Sequence, residues 1–258
     1  ARVTACKEHR MLSKEAAKET MVLLKNEQHT LPLAEGTKVA LFGKATFDYV
    51  KGGGGSGDVT VSYIKNIYDG LNEIPDHIYI EPELASFYRK KVKHQYAKGI
   101  EPGMTKEPLL TDEQYKRARA FADTAIISLC RFSGEGWDRR SKFDAKTSLP
   151  SDKPVDPERE TFEDGDFYLT ANERTMIEQV KQYFPHIIVV LNVGGMVDTS
   201  WFVTDDKIQS VLLAWQGGME GGAAAAELLC GKGNPSGKLS DTFARSLEAY
   251  PSSSNFHE

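Results

Sequence analysis

Two stretches of this 258-residue chain gather side chains able to do chemistry. The first, Ser133-Gly134-Glu135-Gly136-Trp137-Asp138-Arg139-Arg140, follows the apolar run Ala125-Ile126-Ile127-Ser128-Leu129-Cys130. That run reads as a buried strand opening into a loop at its carboxyl end, where α/β proteins place their chemistry. Flanking glycines leave the Glu135 carboxylate free to meet a ligand, Trp137 offers a flat apolar face, and Asp138, Arg139 and Arg140 add charge. The competing reading is a solvated turn whose charges only keep it wet. The second stretch is Lys51-Gly52-Gly53-Gly54-Gly55-Ser56-Gly57-Asp58. Its glycines, Gly55 among them, let backbone approach a ligand closely, and Ser56 offers a hydroxyl for a directed hydrogen bond. A phosphate loop would end in Gly-Lys-Ser/Thr, whereas this one ends in Gly57-Asp58, whose carboxylate repels phosphate. A linker without function is the alternative.

The elements that must position these loops alternate. Residues 13–26 have helical spacing with Ser13 as N-cap, and Lys38–Gly43 reads as the first strand, leading into the glycine-rich loop. Residues 60–72 read as a helix, which Asp58 would cap, and His77–Ile80 as a strand. Residues 82–98 form a basic helix, and Thr111 caps another through Phe121 into the strand before Glu135. Residues 141–164 are a polar, proline-containing surface loop. Thr170 and Glu173 make a capping box for a helix to Tyr183. Ile187–Val193 and Ser210–Gln216 are strands, Met219–Leu229 a helix, and 231–243 a turn with a short edge strand. Trp215 stands at a strand end, as a border of the site or as a core residue. The fold class is α/β: a doubly wound, mostly parallel sheet of about six strands flanked by helices, in one domain over 1–258.

A net charge of −5 and a pI near 5.8 argue against nucleic acid or an anionic membrane as partner. No apolar run reaches the roughly 18 residues of a membrane helix. Cys6, Cys130 and Cys230 are odd in number and far apart, which argues against a disulfide framework and for a reducing, cytoplasmic setting. No histidine pair has metal spacing, so no metal and no cofactor is expected. The abrupt ends suggest one piece of a larger protein.

Five motifs in order, Glu19–Glu27 with Leu31-Pro32-Leu33, Lys51–Asp58, Ser133–Arg139, Trp215–Glu220 and Gly233–Leu239, resemble the α/β-sandwich domain of glycoside hydrolase family 3. The likeness spans nearly the whole chain. It implies a retaining β-glycosidase, β-glucosidase-like, whose nucleophilic aspartate lies in a separate (β/α)8 barrel on the same polypeptide or a companion chain. The substrate would be a β-linked glucoside or oligosaccharide. The resemblance assigns the general acid/base to Glu135 and sugar contact to Ser56, with Gly55 and Trp137 beside it and Asp58, Asp138, Arg139 and Trp215 as possible borders. Asp138, next to Arg139, fits a structural ion pair better than catalysis. Alone, the chain should be inactive, with Glu135 exposed and its pKa ordinary. The alternatives are a non-catalytic carbohydrate-binding module, or β-xylosidase, glycosyl-transfer or phosphorolytic activity.

Overall fold

The computed structural model describes residues 4–135, 162 and 164–254. Alternation along the central strands decides the architecture. In β4 (Thr124–Arg131) every residue is buried; Ala125, Ile127 and Leu129 face one apolar layer and Ile126 the other. In β5 (His186–Val193) Ile187, Val189, Leu191 and Val193 oppose Ile188 and Val190 in the same way. Strands apolar on both faces must be covered on both. Helices α3 (Pro82–Ala97), α4 (Asp112–Phe121) and α5 (Ala171–Tyr183) cover one face through Leu84, Tyr88, Tyr115, Ala118, Met176 and Val180. Helices α1 (Lys7–Thr20), α2 (Ile67–Asn72) and α7 (Gly221–Leu229) cover the other through Ala17, Ile67, Leu71, Ala225 and Leu229, and a single-turn α6 (Ser200–Val203) lies between β5 and the last strand. Each large aliphatic side chain so buried contributes about 1.5–3 kcal/mol.

The six-stranded sheet has the order β1 (Val22–Asn26), β6 (Ser210–Leu213), β5, β4, β2 (Thr37–Phe42), β3 (Ile78–Ile80). All pairings are parallel except that of β1 with β6. The expected doubly wound α/β fold is therefore present. From β2 the chain goes to β3 on one side; from β4 it goes to β5 on the other. The connections leaving these neighbouring strands diverge, and the crevice between them is the topological switch point, where open α/β sheets bind ligands. No helix among the described residues is long and apolar enough to cross a membrane.

Three expected elements differ. The helix expected over 13–26 starts earlier, at Lys7, and stops at Thr20; Val22–Asn26 is instead the antiparallel edge strand. A short apolar run fits either period, and the open edge of β6 supplied the backbone partners that decided it. The helix expected from Thr60 begins only at Ile67, behind a capping box of Asn66 and Asp69. Before it, the chain is tied across to the start of α7 by Lys65 N–H to Met219 O (2.9 Å) and Gly222 N–H to Lys65 O (3.2 Å). The edge strand expected within 231–243 is absent: the segment meets the chain just before β1 through Gly237 N–H to Met21 O (3.0 Å). The Thr170–Glu173 capping box is as expected, and Glu173 does more than cap. Its two oxygens accept from both terminal nitrogens of Arg131 at 2.8 Å, fastening the first turn of α5 to the end of β4.

Candidate active site

Both chemistry-bearing loops leave the sheet at this switch point. The chain after β2 turns at Gly43 and reaches the glycine-rich stretch, where Gly55–Gly57 forms a single 3-10 turn. The chain after β4 passes through Phe132 and Ser133 to Glu135. The loops touch backbone to backbone: a Cβ on Gly134 would lie 1.9 Å from the nitrogen of Gly54. Gly55 has φ +65°, and a Cβ there would sit 2.4 Å from the Cβ of Glu135. Only glycine meets both demands.

The contact this permits joins the two sequence-derived candidates. Ser56 donates its backbone N–H to Glu135 Oε2 at 2.7 Å, and its hydroxyl donates to the same oxygen. Glu135 is exposed, as expected. Its pKa is not ordinary, and here the expectation is corrected: the Ser56 hydroxyl, then the Ser56 amide, hold the carboxyl below the usual glutamate value by bonding the charged form. Sequence placed the two loops on one edge of the sheet, but not the direct bonds between Ser56 and Glu135.

The remaining candidates divide. Asp58 caps no helix; it pairs with Lys51 Nζ at 2.5 Å, closing the base of the glycine-rich turn. Trp215 is half-buried and packs edge-on against Phe243, ring centroids 6.4 Å apart, so its indole belongs to the apolar layer. Its neighbour Gln216 approaches Ser133: a Cβ on Gly194 would meet Gln216 Nε2 at 2.7 Å and Ser133 Oγ at 2.8 Å. Trp137, Asp138 and Arg139 lie outside the described residues, as does nearly all of the 141–164 loop.

Beneath the site lies a buried polar layer that sequence reading missed. Asp48 accepts from Lys44 Nζ (2.9 Å), Tyr96 Oη (2.6 Å) and Gly103 N–H (2.6 Å), fixing the loop after α3 against the end of β2. Glu107 accepts from Lys44 N–H (2.7 Å) and Tyr88 Oη (2.8 Å); burial pushes its carboxyl up to about 8. Gly103 in turn leaves room for Phe132, whose Cβ would be 2.9 Å from a Cβ added there. Arg131 and Glu173 complete the layer. Burial alone would raise the Glu173 carboxyl, but the facing guanidinium holds it below its usual value. The available signal was a polar residue directly abutting an apolar run.

A carboxylate at a switch point, bonded by a hydroxyl and open to solvent, is placed to exchange a proton with a ligand above it. The model of the glycosyl hydrolase family 3 C-terminal domain matches residues 21–258, and the chain belongs to that family. It is 57% identical over its whole length to β-glucosidase A of Butyrivibrio fibrisolvens, of which it spans 31%. It is 34% identical to a β-glucosidase of Ruminococcus albus, with 93% of this chain and 23% of that protein aligned. Among solved structures, a β-glucosidase from Paenibacillus barengoltzii superposes with a TM-score of 0.83 at 34% identity, covering 98% of this chain and 26% of the other. The chain thus spans under a third of the length of these relatives.

Proposed function

We propose that residues 1–258 form one α/β-sandwich domain that supplies the general acid/base, Glu135, of a retaining β-glycosidase of the β-glucosidase type. The observation that carries the reading is the Glu135 carboxylate held by Ser56 at the switch point between β2 and β4. Family membership and relatives named as β-glucosidases support it. Retaining hydrolysis needs two carboxyl groups about 5–5.5 Å apart, one attacking the sugar carbon and one protonating the leaving oxygen, then deprotonating water. Glu135 takes the second role. The first falls to an aspartate of a (β/α)8 barrel, elsewhere in the polypeptide or on a companion chain, which closes over the carboxyl edge. Ser56 and the backbone at Gly55 would then face the sugar, with Trp137 beside them. Free cysteines at positions 6, 130 and 230 are in keeping with a reducing, cytoplasmic setting.

Since the isolated domain holds Glu135 ionised, protonation must come from the completed cleft, through burial or a second carboxylate. In the complete enzyme, Glu135→Ala should lower turnover of an unactivated β-glucoside roughly 10²–10⁴-fold. External azide should restore part of the turnover of an aryl glucoside. Unchanged turnover would instead favour a non-catalytic carbohydrate-binding module.

A further inference from the structure

β5 is apolar from Ile187 to Leu191, and then comes Asn192, 1% exposed. A buried amide must find partners or destabilise the fold. Asn192 finds three, all of them backbone. Its Oδ1 accepts from Val50 N–H at 2.7 Å, and its Nδ2 donates to Val50 O at 2.9 Å and to Trp215 O at 2.7 Å. Val50 is thereby gripped at both backbone groups, as by a neighbouring strand, just where the chain from β2 enters the glycine-rich turn. Trp215 is the second residue beyond β6.

Two further bonds cross the same seam: Gly218 N–H to Lys51 O at 2.8 Å, and Gly217 N–H to the buried Tyr49 hydroxyl at 3.2 Å. Trp215 has φ +50°, a left-handed conformation that a bulky residue keeps only where its surroundings enforce it. The bond from Asn192 to its carbonyl is such a constraint. Gln216, next in the chain, lies close over Gly194, where a Cβ would meet its Nε2 at 2.7 Å and Ser133 Oγ at 2.8 Å.

We infer that Asn192 is a positioning residue that holds the glycine-rich turn and the Trp215–Gly218 turn in register along the edge where Glu135 stands. It rests on the assignment of Glu135 as acid/base, and acts only through backbone that carries Ser56 toward that carboxylate.

The test uses the complete enzyme with an aryl β-glucoside. Asn192→Leu removes all three bonds and should lower kcat/KM at least about ten-fold, as small misplacements of catalytic groups do. Asn192→Asp keeps the acceptor for Val50 N–H but, ionised, offers no donor to the two carbonyls; protonated, it regains one. Relative to the parent, its loss should therefore shrink as pH falls from about 7.5 to about 5, while that of Asn192→Leu stays constant. Both variants within about two-fold of the parent, or identical pH dependences for the two, would overturn the inference. Should neither variant fold, hydrogen exchange in the parent decides. The amides of Val50, Gly217 and Gly218 should exchange through one shared opening, and exchange of the two glycines about ten-fold faster than Val50 would overturn it. That arm needs no activity, so it stands or falls separately from the role of Glu135.

Discussion

The pairing of Ser56 with Glu135 sets two requirements against each other. Both bonds from Ser56 favour the charged carboxylate, while a general acid must hold a proton near neutral pH. Removing the hydroxyl in Ser56→Ala should raise the Glu135 carboxyl pKa in the isolated chain back toward the ordinary value, followed by carboxyl NMR titration. A midpoint that stays or falls would contradict the assigned cause. In the complete enzyme the same change should move the alkaline limb of the pH profile upward, because more of the acid form survives at a given pH. Glu135 and Ser56 were both legible as residues, since glycines on either side freed each from packing. Their contact was not, with the two 79 positions apart and the geometry supplied by strand order. Asn192 left only a faint signal, one amide in an apolar run. Asp58 was misread as a helix cap because its partner, Lys51, lies across the turn rather than along a helix.

Strand order does at the scale of elements what glycine does at the scale of residues. Neighbouring β2 and β4 send their chains to opposite sides, and only that divergence opens a crevice for two loops. The loop after α3 braces it from below through Asp48 and Glu107. Burial keeps the Glu107 carboxyl protonated up to about pH 8, against 4.5 for the free group. Between those values the folded chain binds more protons than the unfolded one, so stability should fall as pH rises through the window, by up to about 1.4 kcal/mol per unit. Glu107→Gln keeps the shape without the titration, and urea unfolding at about pH 5.5 and about pH 8 should show its slope flattened. Equal slopes in parent and variant would refute the assignment. The central strands were readable because buried parallel strands are continuously apolar, and α5 because its capping box is local. Residues 22–26 and 60–66 were misread for one reason: their conformation is dictated by β6 and by the start of α7, partners nothing nearby announces.

For the molecule as a whole, the proposed function makes the site half of a device. The chain spans 31% of the Butyrivibrio fibrisolvens relative, and retaining hydrolysis needs a second carboxyl at close range. The purified 258 residues should therefore fold yet give no measurable turnover of an aryl β-glucoside; turnover that disappears with Glu135→Ala would show the domain self-sufficient. One consequence of the sheet's polarity extends beyond catalysis. Every feature assigned to the site sits at the carboxyl ends of the parallel strands, while the connections 27–36, 73–77, 122–123 and 184–185 sit at the far rim. That rim is a protected place for a dye, an affinity handle or a surface tether. An enzyme immobilised by it would present its working mouth to the medium.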